Sequence, residues 1–253
     1  MFHYIVFVLL VPLFVFQGYC VRRTSLVLPE ANGERCGTLG SGSALSVLVA
    51  GDSAAAGVGV DHQEQALVGY FTRELAKEHS VSWSLVAQSG DTTADLIQRL
   101  TTIEAKQFDL VLLSIGVNDV LSPVSTVKWS KQLLILSQLL QKQFQTKQIW
   151  FTSVPPMEQF PLLPNPLRWF LGKRAQAFNR SLAHFVHLNK GCGFIDISHK
   201  LHRVADLQQS GLAKDGFHPS EVSYEIWGVT AAEMIQKGIN EKCAIISLSQ
   251  KNL

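Results

Sequence analysis

Ser53 follows a short apolar run and is trailed by Ala54-Ala55-Ala56-Gly57, small residues that leave a hydroxyl accessible. A serine oxygen is a weak nucleophile at neutral pH unless a base within hydrogen-bond reach takes its proton. His218 has the chemistry for that task, since imidazole gains and loses a proton around pH 7. Asp215, three residues earlier in Asp215-Gly216-Phe217-His218-Pro219-Ser220, can fix the imidazole tautomer and stabilise the imidazolium formed as Ser53 attacks. Acyl transfer also needs donors aimed at the developing oxyanion, and three are at hand: the Ser53 N–H, the Gly90 N–H and the Asn118 side-chain amide. At Gly90 a side chain would block close approach of the backbone to that oxygen. Asp52 sits beside the nucleophile, and Asp119, next to Asn118, is suited to tying down its loop. Each residue has an ordinary explanation as a cap, a turn or a loop. One catalytic site accounts for all four segments more economically.

These segments need a scaffold that brings them together. From residue 44 onward short apolar runs alternate with amphipathic stretches, the pattern of a mostly parallel sheet covered by helices. Five strands are expected, at Leu45 to Ala50, Val81 to Val86, Leu110 to Ile115, Ile149 to Val154 and Gly193 to Ile197. Helices are expected over Gln65 to Glu78, Thr93 to Lys106, Trp129 to Phe144, Ala175 to Leu188 and about Glu221 to Lys237. Val, Leu and Ile on both strand faces predict helices on both sides, an α/β/α sandwich. Ligands of such sheets bind beyond the carboxyl ends of the strands, which is where Ser53, Gly90 and Asn118 fall.

On these residues the chain resembles the SGNH hydrolases, the GDSL-like lipases and esterases. Gly51-Asp52-Ser53 with Gly57 matches the family's nucleophile block, Ser89-Gly90-Asp91-Thr92-Thr93 its glycine block, Gly116-Val117-Asn118-Asp119 its GxND block, and Asp215-Gly216-Phe217-His218 its DxxH block. The blocks occur in the family's order and span about residues 44 to 237. The resemblance implies a three-layer, flavodoxin-like α/β fold and a serine esterase using Ser53, His218 and Asp215, with Gly90 and Asn118 completing the oxyanion hole. It implies no metal or organic cofactor. The first block reads Ser53-Ala54-Ala55 where many members read GDSL. Carbohydrate O-acetylesterase, acyltransferase and a membrane-tethered, non-catalytic binding protein remain alternatives; retention of Ser53, Asp215 and His218 argues against the last.

With 253 residues, 47% of them hydrophobic and 17% charged, the chain can bury a full domain core and is not globally disordered. A formal net charge of +2 is too small to imply a nucleic-acid groove, and no protein partner can be inferred. Cys20, Cys36, Cys192 and Cys243 form no CxxC pair; Cys192 and Cys243 are able to pair in an oxidising compartment, and free buried thiols are the plainer reading. Neither His184 with His187 nor Asp196 with His199 and His202 matches a zinc pattern. Gly57-Val58-Gly59 lacks the further glycine of a nucleotide loop, with His62 where it is needed.

Residues 1 to 23 read as a hydrophobic leader, either an export signal or an uncleaved anchor, with membrane association through residues 4 to 20. Some thirteen strongly apolar residues, Tyr4 to Phe16, suit a signal core better than a span of about 20, yet Arg22 and Arg23 follow the core and no Lys or Arg precedes it, opposite to the usual secretory order. The expected location is therefore exported or membrane-anchored. Residues 24 to 43 read as a linker and 44 to 253 as the domain. The proline-rich, apolar stretch from Pro155 to Phe170 is expected to line an acyl groove or to pack inward as a small core. A groove there would suit lipid or lysophospholipid esters, which are favoured weakly over an acetylated carbohydrate.

Overall fold

The computed structural model describes residues 2 to 197 and 211 to 250, with side chains described for 10 to 197 and 211 to 238. The described elements are α1 (Phe2–Thr24), β1 (Cys36–Leu39), β2 (Ser43–Gly51), α2 (Leu67–Leu75), β3 (His79–Ala87), α3 (Thr93–Thr101), β4 (Leu110–Ser114), α4 (Val117–Leu121), α5 (Thr126–Gln143), β5 (Gln148–Thr152), α6 (Leu167–Leu188), β6 (Cys192–Ile195) and α7 (Glu221–Gln250).

Side chains along β2 and β4 alternate between two cores, as the two-residue strand period demands. Val47, Val49, Leu110 and Leu112 join Phe71, Leu75, Tyr224 and Trp227 of α2 and α7. Leu48, Ala50, Val111 and Leu113 join Leu96, Trp129, Leu133 and Phe178 of α3, α5 and α6 on the other face. The expected α/β/α layering is present.

Among the described residues the sheet has six strands in the order β1-β3-β2-β4-β5-β6, one more than expected. All neighbours run parallel except β1, which pairs antiparallel with β3, Cys36 opposite Ser84 and Leu39 opposite Val81. Without β1 the order is that of a flavodoxin-like sheet, whose switch point lies between the first strand and the third, here β2 and β4. The extra strand lies within residues 24 to 43, read from sequence as a linker. Its Cys-Gly-Thr-Leu is short, mostly exposed and without periodicity, so only the partner β3 makes it a strand.

Other boundaries moved for local reasons. Helix α5 starts earlier than expected because Ser125 accepts from Lys128 N and caps it. Helix α6 starts at Leu167 rather than Ala175, following Pro166 at its N-cap. Helix α3 stops at Thr101, short of the expected Lys106. In the Pro155 to Phe170 stretch, Met157, Phe160, Leu163 and Leu167 are buried in the main core rather than in a separate small one, while Pro155, Pro156, Gln159 and Phe160 line a cavity. Cys192 is a free, half-buried thiol; the Cys243 side chain lies outside the described residues. Among the described residues no helix is long and apolar enough to cross a membrane.

At the switch point β2 and β4 approach so closely that a Cβ on Gly51 would stand 1.9 Å from Ser114 O. Backbone cannot yield as a side-chain tip can. Gly51→Ala is expected to destabilise the fold by about 2 kcal/mol or more, as overpacking against fixed atoms does, seen as a lower urea midpoint; an unchanged midpoint would show that the two strands separate at little cost.

Candidate active site

Strand β2 delivers the chain into a tight turn in which Ala56 N donates to Asp52 O at 2.9 Å and Val58 N to Ser53 O at 3.0 Å. The turn is clamped from outside. Gln63 Nε2 donates to Ala56 O and Ala31 O, both at 3.0 Å, and the buried Tyr224 hydroxyl of α7 donates to Val58 O at 2.8 Å. Ser53 is thus held at the mouth of the cavity, half exposed.

His218 Nε2 lies 2.9 Å from Ser53 Oγ, and His218 Nδ1 lies 2.5 Å from Asp215 Oδ2. An ionised carboxylate only accepts, so Nδ1 carries the proton toward Asp215 and Nε2 is left to accept from the serine hydroxyl. The other oxygen, Asp215 Oδ1, accepts the N–H groups of Phe217 and His218, each at 3.0 Å. Burial pushes the Asp215 carboxyl up, but the bonds from His218 and Phe217 outweigh it and hold it below the ordinary value. Asp215 is therefore ionised at neutral pH, as a partner for an imidazole that becomes charged should be. The Asp-Gly-x-His spacing makes a turn in which the acid orients its own base.

Gly90 lies on the loop after β3 and Asn118 at the start of α4 after β4, the two strands that flank β2. Gly90 has φ +89°, and a Cβ there would point into open space. The backbone conformation favours glycine. Asn118, on α4, donates from Nδ2 to Asp91 O at 2.9 Å, fixing the amide and leaving its second N–H available to a ligand.

Asp119 joins the two loops. Its Oδ2 accepts from Thr93 N at 2.9 Å and Thr93 Oγ1 at 2.8 Å, and Trp129 Nε1 donates to the same Thr93 oxygen at 2.9 Å. Several supports went unread in the sequence. Arg99 grips Asp91 with two hydrogen bonds, at 2.8 and 3.0 Å. Arg174 of α6 donates to the carbonyls of Val120, Ser122 and Val124 and so holds the end of the five-residue α4. Glu30, within the supposed linker, accepts from Ser89 N at 2.6 Å and braces the glycine loop. An Asp-to-Arg spacing of eight residues hints at the first of these; the others join segments too far apart in sequence to leave a pattern.

His184 and His187 are exposed on α6, His199 and His202 lie outside the described residues, and no cluster of three metal-ligating side chains occurs among the described residues.

The cavity beside Ser53 and His218 has a volume of about 100 Å³ and is walled largely by Ile115, Val117, Val154, Pro156, Phe160 and Phe217. Asp52 lies at its floor, only 2% exposed. Its Oδ1 accepts from Ala54 N at 3.1 Å, while Oδ2 has no protein partner. Burial, followed by the charge of Asp119, outweighs that bond and pushes the Asp52 carboxyl up from 3.8 to about 7. The folded protein therefore holds a proton on Asp52 that the unfolded chain has released. This contribution to stability is present below about pH 4 and is lost as pH rises toward about pH 7, by on the order of 4 kcal/mol. Asp52→Asn, which keeps the acceptor for Ala54 N, is expected to remove that slope, so that melting curves of variant and parent diverge in the variant's favour as pH rises through the window. Parallel curves would show that Asp52 ionises as readily in the fold as outside it.

Residues 49–226 match the model of the GDSL-like lipase/acylhydrolase family. Among curated proteins no sequence matches this chain. Similar solved structures include a member of the lipolytic G-D-S-L family from Veillonella parvula (17% identity, TM-score 0.59, covering 74% of this chain and 96% of that one). An acetylxylan esterase from Geobacillus stearothermophilus is similar at 20% identity and a TM-score of 0.57, covering 76% and 94%. A lipase/acylhydrolase from Enterococcus faecalis is similar at 23% identity and a TM-score of 0.56, covering 76% and 96%. At such identities the structures establish the shared fold, and the matched model spans most of the chain, including all four polar segments: the protein belongs to the GDSL-like lipase/acylhydrolase family.

Proposed function

We propose that the protein is a serine esterase that hydrolyses carboxylic esters through an acyl-enzyme on Ser53. The observation that carries this reading is the relay Ser53 Oγ, His218 Nε2, His218 Nδ1, Asp215 Oδ2 at the mouth of an apolar cavity. As Ser53 Oγ attacks the ester carbonyl carbon, its proton passes to His218 Nε2, and Asp215 balances the imidazolium. The carbonyl oxygen becomes an oxyanion facing the N–H groups of Ser53 and Gly90 and the free N–H of Asn118. Collapse of this intermediate breaks the ester C–O bond, and His218 returns its proton to the leaving alcohol. Water, deprotonated by His218, then attacks the acyl-enzyme and releases the acid.

The cavity size favours short acyl groups. An apolar cavity of roughly 150 Å³ accommodates benzene, so one of about 100 Å³ suits a tail of about two to four carbons better than a fatty acyl chain. Small acyl esters, including O-acetylated alcohols, are thus preferred over lysophospholipids as substrates.

Initial rates of the full chain on chromogenic esters from acetyl to palmitoyl test both parts. Turnover is expected to peak at acetyl to butyryl and to fall about a thousandfold or more in Ser53→Ala. Asn118→Ala is expected to lower kcat by about a hundredfold or more with little change in KM, because its bond strengthens in the transition state. Absence of turnover in the folded protein on every ester would favour a non-catalytic role.

Phe160 lines the cavity from the proline-rich stretch, its ring edge-on to Phe217 with centroids 5.0 Å apart. Phe160→Ala should lengthen the cavity and raise the octanoyl-to-acetyl ratio of kcat/KM by about tenfold, the scale on which apolar pockets discriminate methylenes. An unchanged ratio would place the acyl group elsewhere.

A further inference from the structure

Helix α1 is docked onto the domain by one stripe. Leu10 and Val21 pack against the core, and Phe14, 8% exposed, stacks on Phe170 of α6 with ring centroids 4.8 Å apart. Gln17 completes the stripe: its Nε2 donates to Asn165 O at 2.7 Å, and its Oε1 accepts from Leu167 N at 3.1 Å. Gln17 thereby caps α6 from another element, where Pro166 makes no side-chain cap of its own. Positions 10, 14, 17 and 21 recur at helical spacing, as a buried face requires.

The face turned away from the domain is apolar as well. Val15, Phe16 and Tyr19 are 67%, 63% and 58% exposed, and Val11 and Leu13 are exposed beside them. A helix resting on a protein with its far side in water normally carries polar residues there. Here that side ends in a different signal, with Arg22 and Arg23 in the last turn and no Asp or Glu before Glu30. Apolar residues with an interfacial tyrosine, followed at one end by cations, fit the acyl-to-headgroup boundary of a bilayer that contains anionic lipid.

We propose that α1 is a retained part of the folded protein that seats it on an anionic lipid surface, with the Leu10, Phe14, Gln17 and Val21 stripe on the domain and the Val15, Phe16 and Tyr19 face in the bilayer boundary. The helix lies along the surface, since the docked stripe holds it to the domain. The proposal does not depend on catalysis by Ser53.

Flotation of the full chain with vesicles of phosphatidylcholine, alone or with phosphatidylglycerol, tests this. The protein should float with the mixed vesicles and several-fold less with phosphatidylcholine alone. Val15→Asp with Phe16→Asp, on the outward face, should lower the bound fraction about tenfold or more while leaving the circular dichroism spectrum and hydrolysis of a soluble short ester unchanged. Arg22→Ala with Arg23→Ala should abolish the preference for phosphatidylglycerol. The proposal is overturned if the parent protein stays off both vesicles, or if the double aspartate variant floats as well as the parent. It is equally overturned if the parent is a dimer that ignores vesicles and becomes monomeric in that variant, because a second copy then covers the face. A folded protein that floats but hydrolyses no ester would leave this inference standing and remove the catalytic one.

Discussion

The close approach of β2 and β4 sets the geometry of the site. Gly51 pairs with Ser114 at the carboxyl ends of these strands, and Asp52 N donates to Ser114 O at 3.1 Å immediately beyond. Because one strand feeds the turn that carries Ser53 and the other leads to Asn118, the spacing of the two loops is inherited from a backbone ladder that has little freedom. Side chains on a ladder end are more accurately placed than side chains on unsupported loops. The absence of a side chain at Gly51 is what lets the ladder run to its end.

Polar groups buried behind this ladder convert loops into fixed platforms. Asp119, Thr93 and Trp129 lock the start of α3 to α4, and Asp91 receives both Arg99 and Asn118. Such groups are costly to bury without partners and specify one arrangement when they have them. Arg174 supplies carbonyl partners for a helix of only five residues, too short to persist alone. In this network Asp52 and Asp119 each keep one buried oxygen without a protein partner; burial raises both carboxyls, and at Asp52 this keeps negative charge off the cavity wall in acidic solution.

The triad and the loops also depend on segments remote from them. Glu30 braces the glycine loop, Gln63 and Tyr224 clamp the nucleophile turn, and α7 brings Tyr224 from the far end of the chain. The proline-rich stretch serves two purposes because its apolar residues point both ways: Met157 and Leu163 anchor it in the core, while Phe160 reaches the cavity from the same anchored backbone.

Much of this molecule was legible in the order of its residues. Apolar runs of strand length alternating with amphipathic stretches specify the parallel sheet and its two helical layers, because burial on both faces leaves a local pattern. The pairing of Ser53 with His218 and Asp215 was legible in their complementary chemistry, and the strand pattern put Ser53, Gly90 and Asn118 beyond the ends of β2, β3 and β4. What the sequence left open involves contacts between distant segments. The strand Cys36–Leu39 exists because β3 offers it a ladder, and α1 is docked rather than free because Phe170, Asn165 and Leu167 meet its buried stripe. The cavity volume is decided by how Phe160, Phe217 and Val154 pack together. Local periodicity reports which face of an element seeks burial; only tertiary packing determines what covers that face and how much space remains.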